Sequence, residues 1–307
     1  MNYAKLGQTG MEVSRITFGC WELGGGMWEK AEDEVNIKLL QTAFDQGVNS
    51  FDTAEGYGDG HSEKIVGLAL DGKRKECFLA TKVSKANLRR DDLRRAVENS
   101  LKRLRTDYLD LYYVHWPNPE IPLQETMTEM NRLKEEGIIR AIGVSNFSLS
   151  LLQQAQDYAR VDVIQPEYSL LQREIEDELL PYCREQSIAV MAYSPLTKGI
   201  LTGAFHFGNA KLKEDDFRRT RRFFLPEHLE KEEELLLLIK EIAEAKGVSL
   251  SQVALAWLLA QPGLTSAIVG TQKEQHLLDN LQATELQLTQ EELEKLDRVS
   301  RKVIASL

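Results

Sequence analysis

The fold of this chain is indicated most clearly by the segment VNSFDTAEGYG, residues 48–58. A short apolar run of β type ends in Asp52, and Tyr57 lies in the loop that follows. A helical segment comes after this loop, as expected where a strand connects to a helix. In parallel barrels the carboxyl ends of the strands face one mouth, where the chemistry is done. Asp52 and Tyr57 are therefore candidates for a functional site.

Two later segments repeat this arrangement with other ionisable side chains. Residues 77–81 form a strand candidate that ends before Lys82, and residues 109–114 form one that ends before His115. Because helical segments separate the strands, we expect the strands to be parallel. All four ionisable side chains would then lie at one mouth and form a site for proton transfer.

Strand candidates alternate with helical segments along most of the chain. They cover residues 15–19, 48–52, 77–83, 109–115, 139–144, 161–165, 188–193 and 266–270. Eight such units predict an α/β fold, a (β/α)8 TIM barrel. No Gly-rich GxGxxG motif opens the first helix, which counts against a Rossmann domain. The sequence shows no linker, so residues 1–307 are predicted to form one domain.

Three parts of the sequence lie outside the barrel repeat. Residues 7–10, Gly-Gln-Thr-Gly, predict an N-terminal β-hairpin. Residues 195–229, after strand seven, form a long segment of weak periodicity that is typical of a lid. C-terminal extra helices are predicted over residues 232–246 and 249–260, and a further one follows a capping box at Thr289.

The composition excludes several classes of protein. A net charge of −10 provides no basic field for nucleic acid. Three scattered cysteines without CxxC spacing indicate reduced thiols. Residues 1–5 lack the apolar run of a signal peptide, and the longest aliphatic run, residues 235–239, is too short to cross a bilayer. We expect a cytoplasmic protein that binds neither membrane nor nucleic acid.

The four strand-end residues have structural interpretations as well as a catalytic one. Asp52 alone would cap its loop, Lys82 would be solvated, Tyr57 would pack in its loop and His115 would bond within its turn. Their joint placement favours catalysis. A phenol with a pKa near 10 is a poor acid, and a nearby ammonium lowers that pKa. Lys82, kept charged by Asp52, would supply the ammonium.

A metal site is not expected. The sequence contains neither an HxH nor an HExxH motif, and no second histidine accompanies His115. The other histidines considered, His61, His206 and His228, are expected in loops or on the surface.

The sequence resembles the aldo-keto reductase superfamily over nearly its whole length. The matching motifs are FDTAEGYG (51–58), ATK (80–82), DYLDLYYVHWP (107–117), GVSNF (143–147), QPEYS (165–169) and YSPL (193–196). The chain looks most like the bacterial branch of general-stress and inositol-associated reductases, and more distantly like potassium-channel β subunits. The resemblance implies a catalytic tetrad of Asp52, Tyr57, Lys82 and His115. In it, Tyr57 donates the proton, Lys82 with Asp52 lowers the phenol pKa, and His115 orients the carbonyl.

The resemblance also implies NADP(H) as the cofactor, since the side chains cannot supply a hydride. Ser145, Asn146 and Gln165 would hold the carboxamide, and the ring of Tyr193 would stack on the nicotinamide. By themselves, Gln165 could cap backbone groups and Tyr193 could pack in the core.

The phosphates of the cofactor are expected above the last two strands. The implied contacts are Ser194, Leu196 and Leu201 at the start of the lid, and Gly270, Thr271, Gln272, Lys273, His276 and Asn280 after strand eight. Relatives carry Arg or Lys at position 272 and Gln at position 276, so this chain departs from the pattern at both. Lys273 and Thr271 would compensate, and Asn280 matches the adenine contact. NADPH is favoured, with NADH use left open.

An apolar substrate pocket is expected at the mouth. Trp21, Trp28 and Trp116 would line it and suit aldehydes and some ketones. Trp28 could instead be partly buried in its own loop. Arg218 of the lid resembles a residue with a structural or cofactor-facing role.

The resulting function is hydride transfer between NADPH and the carbonyl of small aldehydes or ketones, with Tyr57 as general acid or base. A nicotinamide-sensing binding protein with slow turnover is the alternative. A barrel lyase or isomerase without nicotinamide is a third, disfavoured by the predicted carboxamide contacts. The sequence leaves open the physiological substrate, the direction in the cell and the oligomeric state, a monomer included.

Overall fold

A computed structural model describes residues 1–28, 31–208 and 210–307 of the chain. An antiparallel hairpin of β1 (Tyr3–Lys5) and β2 (Glu12–Ser14) precedes the main sheet, as predicted. The main strands are β3 (Ile16–Gly19), β4 (Ser50–Asp52), β5 (Phe78–Val83), β6 (Leu109–Val114), β7 (Ile139–Ser145), β8 (Val163–Gln165), β9 (Ala189–Ala192) and β10 (Leu264–Gly270). They pair in parallel and β10 returns to β3, so the predicted (β/α)8 barrel is confirmed.

Helices surround the barrel and complete the C-terminal part. They are α1 (Asp33–Asp45), α2 (His61–Ala69), α3 (Arg90–Leu104), α4 (Leu123–Glu135), α5 (Leu149–Gln156), α6 (Leu179–Glu185), α7 (Pro226–Lys246), α8 (Leu250–Leu259), α9 (Glu274–Gln282) and α10 (Gln290–Ser306). The helical apolar stripes face the sheet; on α3, Leu93, Val97 and Leu104 are buried. The capping box predicted at the start of α10 is present, with Thr289 and Glu292 each capping the other's backbone N–H.

The inward register of the strands decides which side chains reach the mouth. Alternate residues of a strand point to the same face. On β5, Ala80 belongs to the apolar cluster inside the barrel, so the next inward position is Lys82. On β6, Leu111 and Tyr113 belong to this cluster, and His115 is the next residue in the same row. The polar residues at the mouth therefore continue the apolar rows of the interior.

The hairpin closes the opposite end of the barrel. Leu6 and Val13 are fully buried and lie in the same inner cluster as the barrel residues. Above them, the hydroxyl of Ser50 forms hydrogen bonds of 2.8 Å with those of Ser14 and Thr17. The amino end of the barrel is thus filled by packed side chains.

The long segment after β9 has more structure than its sequence suggests. It contains three 3-10 helices, Thr197–Thr202, Phe217–Thr220 and Arg222–Phe224. The helix predicted from residue 232 begins at Pro226, since proline fits the first helical position. The lid therefore comprises residues 195–225. His206, expected in a loop or on the surface, lies in the lid with a side chain only 6% exposed.

Two further findings concern the part of the chain that the structure describes. None of its helices is both long and apolar enough to cross a bilayer. Within the same residues, no three His, Cys, Asp or Glu side chains are arranged to hold a metal ion.

Candidate active site

Lys82 lies in the mouth of the barrel and is fully buried. Its Nζ donates hydrogen bonds to the Asp52 carboxylate, to the main-chain carbonyl of Thr53 at 2.8 Å and to Tyr57 Oη at 3.3 Å. The pairing of β4 with β5 sets this geometry, because Asp52 lies opposite Ala80, two residues before Lys82. Three of the four predicted catalytic side chains are thus in direct contact.

The buried ion pair controls the protonation of the site. Burial opposes a charge on Lys82, but the Asp52 carboxylate and the Tyr57 hydroxyl outweigh it, so the pKa of Lys82 is raised. Burial also raises the pKa of the Tyr57 phenol, and the Lys82 ammonium lowers it by less. The sequence predicted a net lowering, so the direction differs although Lys82 acts as expected. At neutral pH the phenol keeps its proton.

His115 supplies a neutral imidazole beside the phenol. Its ring meets that of Tyr57 nearly at right angles, with the ring centroids 5.7 Å apart. Burial, together with the charge of Lys82, lowers the pKa of His115 to about 3. A neutral imidazole has one donor and one acceptor nitrogen. His115 can therefore orient a polar oxygen without adding a second positive charge.

The ends of β7, β8 and β9 place four polar side chains side by side, and the Ser145 hydroxyl donates to the main-chain carbonyl of Gln165 at 2.7 Å. Asn146 Nδ2 donates to Ser145 Oγ at 3.1 Å, and Asn146 Oδ1 accepts from the Tyr193 hydroxyl at 2.8 Å. Gln165 Nε2 donates to the Asp52 carboxylate at 2.8 Å. Asn146 has a left-handed backbone with φ of 62°, which Asn adopts more readily than most residues. The predicted carboxamide contacts thus connect to the buried ion pair.

The first and last barrel strands approach each other closely at the mouth. A Cβ at Gly270 would lie 2.9 Å from the carbonyl oxygen of Gly19, which is too close for a side chain. α9 begins four residues later, so its free N–H groups lie near this junction. Glycine at position 270 thus permits the close pairing of the last strand with the first.

The residues predicted to bind the adenosine half of a cofactor lie in two environments. Thr271 and Asn280 are buried and line a small cleft beneath α9. Lys273 and His276 are exposed on the other side of the same turn. Gln272 Nε2 donates to a main-chain carbonyl of the loop after β3, at 3.1 Å, and so ties the two strand ends together.

The start of the lid places three further predicted residues. Ser194 has a left-handed backbone with φ of 52°, and Leu196 is partly buried against the core. Leu201 is fully buried, and its main-chain N–H donates to the carbonyl of Leu196 at 3.2 Å. Lys198 Nζ pairs with Glu167 at 2.7 Å and links the lid to the loop after β8.

A cluster of aromatic rings covers the mouth above the phenol. Trp21 packs edge-on against Trp28, with ring centroids 5.4 Å apart, and lies 6.4 Å from the ring of Tyr57. Phe217 of the lid contacts Trp21 and Trp28 at 5.7 and 5.2 Å. Trp116 is 49% exposed and makes no ring contact with another described residue. The sequence interpretation thus missed Phe217 and included Trp116, which this cluster does not contain.

Arg218 holds the lid in place. Its guanidinium binds the Asp216 carboxylate at 2.7 Å and donates to the carbonyl of Lys198 at 3.3 Å. It also lies over the rings of Trp28 and Phe224, at 5.1 and 5.7 Å from their centroids. These contacts give Arg218 the structural role that was one of its two predicted roles.

The chain is similar to known proteins over most of its length. Residues 15–301 match the aldo/keto reductase family. The aldo-keto reductase YhdN of Bacillus subtilis is 39% identical over 284 residues, which cover 89% of this chain and 86% of YhdN.

Two solved structures show the same similarity in three dimensions. The glycerol dehydrogenase AKR11B4 of Gluconobacter oxydans is 32% identical, with a TM-score of 0.90 over 98% of this chain and 96% of that one. An aldo/keto reductase of Klebsiella pneumoniae, solved in complex with NADP and acetate, is 34% identical, with a TM-score of 0.79 over 98% and 96% of the two chains. Fold, sequence and coverage agree, and the chain therefore belongs to the aldo/keto reductase family.

Proposed function

We propose that the protein is an NADP(H)-dependent oxidoreductase that reduces aldehydes or ketones, with Tyr57 as the proton donor. The observation that carries this proposal is the contact between Tyr57 Oη and the buried Lys82 ammonium, 3.3 Å apart. This contact lies at the carboxyl end of the barrel strands, where barrel enzymes bind their substrates. A protonated phenol beside a cation is suited to give its proton to a carbonyl oxygen.

The residues of the mouth fit a nicotinamide cofactor. Ser145, Asn146 and Gln165 offer hydroxyl and amide groups of the kind that pair with a carboxamide. The N-terminus of α9, four residues after Gly270, favours an anion such as a pyrophosphate. The Klebsiella pneumoniae relative was solved with NADP, which supports the same cofactor here. When bound, the nicotinamide would supply the hydride that no side chain can provide.

The proton follows a short path in this chain. Tyr57 Oη would give its proton to the substrate oxygen as the carbonyl carbon accepts the hydride, and the product would be an alcohol. The Lys82 ammonium would stabilise the phenolate left behind, and solvent would return the proton. The neutral His115 would donate a hydrogen bond to the same substrate oxygen and fix its position. The reverse sequence would oxidise an alcohol.

The lining of the mouth favours apolar substrates. The Trp21 ring lies 6.4 Å from that of Tyr57, and Phe217 packs against both Trp21 and Trp28. Aromatic walls favour ring-bearing or aliphatic carbonyl compounds over phosphorylated sugars. We therefore expect aromatic aldehydes to be good substrates.

The test is steady-state turnover of NADPH with a panel of aromatic and aliphatic aldehydes, accompanied by fluorescence titration of NADPH. Binding with saturable turnover would support an enzyme. Tight binding with no turnover on any member of the panel would favour a cofactor-sensing protein instead. Failure to bind NADPH or NADH would refute the proposal.

A further inference from the structure

Glu22 is a carboxylate at the junction of the first and last barrel strands. It follows β3 in the short 3-10 helix Glu22–Gly24. Its Oε1 lies 3.5 Å from the position that a Cβ would occupy at Gly270, the last residue of β10. Its main-chain carbonyl accepts the hydrogen bond from Gln272. The carboxylate therefore lies next to the backbone that leads into α9, where the proposed function places the cofactor phosphates.

The surroundings of Glu22 do little to compensate a negative charge. The side chain is partly buried, and it makes no hydrogen bond with another residue that the structure describes. Burial raises the pKa of Glu22 to about 7, against the attraction of Arg218 in the lid. Arg218 itself is already bound to the Asp216 carboxylate. Glu22 is thus a weakly compensated acid whose charge changes in the neutral pH range.

Other ionisable groups lie on the elements near this position. The loop after β4 contributes Tyr57, whose pKa is raised and whose phenol stays neutral near pH 7. α2 contributes His61, which binds Asp33 at 3.0 Å. The turn after β10 contributes Lys273, a cation. Glu29 and Lys30, in the same loop as Glu22, lie outside the described residues.

We infer that Glu22 takes up a proton when the dinucleotide binds, so that cofactor affinity falls as the pH rises through the neutral range. This inference rests on the proposed function, since it requires the cofactor to bind at this mouth. A pyrophosphate carries two permanent negative charges and would lie beside the carboxylate. Like charges at a poorly solvated site disfavour the ionised form of the group that can accept a proton.

Arg218 links the binding of the cofactor to the protonation of Glu22 in both directions. Its attraction favours the ionised form of Glu22 as long as no other anion competes for it. A phosphate group at the mouth would draw the guanidinium towards itself and leave the carboxylate uncompensated. The Arg218 guanidinium would therefore be shared between the cofactor phosphate and the Glu22 carboxylate. Protonation of Glu22 would release the guanidinium to the phosphate.

The size of the effect follows from the pKa of the carboxyl. If only protonated Glu22 accepts the cofactor, affinity falls by a factor of 1 + 10^(pH − pKa). With a pKa of about 7, this factor is roughly 1 near pH 6 and about 10 near pH 8. Glu22→Gln should bind NADH about equally at both pH values, and about tenfold more tightly than the wild type near pH 8.

The experiment is fluorescence titration of NADPH and of NADH near pH 6 and pH 8, on the wild type and on Glu22→Gln. NADH lacks the 2′-phosphate, which itself titrates near pH 6. A pH dependence of affinity that is seen with both cofactors therefore belongs to the protein. Glu167→Gln is the matched control, because Lys198 neutralises that second mouth carboxylate at 2.7 Å. Calorimetry of the wild type in two buffers of different ionisation enthalpy counts the protons taken up and needs no variant.

The inference predicts a pH slope and proton uptake in the wild type, both lost in Glu22→Gln and retained in Glu167→Gln. Binding that does not depend on pH, or a slope that survives in Glu22→Gln, would overturn it and leave the proposed function intact. Absence of binding at every pH would overturn the proposed function and this inference together.

Discussion

Replacing Lys82 with methionine should both destabilise the protein and abolish its turnover. Methionine has nearly the same length and is apolar, so the packing of the site changes little. The buried Asp52 carboxylate, 2% exposed, then loses its countercharge and keeps the hydrogen bond from Gln165 at 2.8 Å. The carbonyl of Thr53 also loses the lysine as a donor. The variant therefore leaves an uncompensated charge inside the barrel.

The size of the destabilisation follows from this burial. Removing one partner of a buried ion pair lowers the free energy of unfolding by about 3–5 kcal/mol, because the remaining charge has no counterion. Removing both charges avoids this penalty. The double variant Asp52→Asn, Lys82→Met should therefore recover at least about 2 kcal/mol of the loss. Turnover should stay about 10²- to 10⁴-fold below the wild type in both variants, the range that general acid catalysis contributes.

The assay is urea unfolding followed by circular dichroism, in parallel with NADPH turnover. Lys302→Met is the control, because Lys302 and its partner Glu234 are both largely exposed and an exposed pair contributes about 1 kcal/mol or less. A Lys82→Met protein with wild-type stability would contradict the buried-charge argument. A double variant less stable than the single one would contradict it too, and wild-type turnover in either would refute the proposed role of Lys82.

Two further outcomes test the lid and the helix behind it. Glu232 of α7 is fully buried, and burial raises its pKa to about 8. In the folded protein this carboxyl therefore stays protonated, whereas in the unfolded chain it ionises above about pH 4.3. The free energy of unfolding of the wild type should therefore fall by roughly 1 kcal/mol per pH unit between about pH 5 and 8. Urea unfolding of Glu232→Gln should show a flatter dependence, and an equal slope in both proteins would exclude Glu232 as the cause. Phe217→Ala removes two ring contacts of about 0.5–1.5 kcal/mol each. The kcat/KM for aromatic aldehydes should therefore fall about tenfold, and the kcat/KM for small aliphatic aldehydes should fall less. An equal fall for both classes would count against an aromatic pocket.

The positions of the four candidate catalytic residues at the mouth could be predicted because they depend on a local rule. Side chains alternate along a strand, and the end of each strand marks the mouth, so Asp52, Lys82 and His115 follow from the strands alone. The contact of Lys82 with Asp52 follows from the pairing of adjacent strands, which the parallel arrangement implies.

The direction of the Tyr57 pKa shift could not be predicted in this way. The sequence indicates that a cation lies nearby, but it does not give the degree of burial. In the folded protein burial has the larger effect, and the phenol pKa is raised. The sign of the shift is thus a property of packing rather than of the motif.

The ring contacts of Phe217 and the position of Glu22 were not predicted, for a related reason. Phe217 contacts Trp21 and Trp28 only because the lid folds back over the mouth. No periodic pattern in the sequence predicts that contact. Glu22 lies beside Gly270 because the last strand closes on the first, far apart in sequence. Such contacts depend on barrel closure and are not visible in any local segment.

The most direct test of the account is the turnover of Tyr57→Phe, a variant that removes one hydroxyl oxygen and keeps the ring. NADPH affinity, measured on the same sample, should stay within about threefold of the wild type, while aldehyde reduction should fall about 10²- to 10⁴-fold. A variant that binds NADPH and still reduces the aldehyde at the wild-type rate would show that the proton comes from another group.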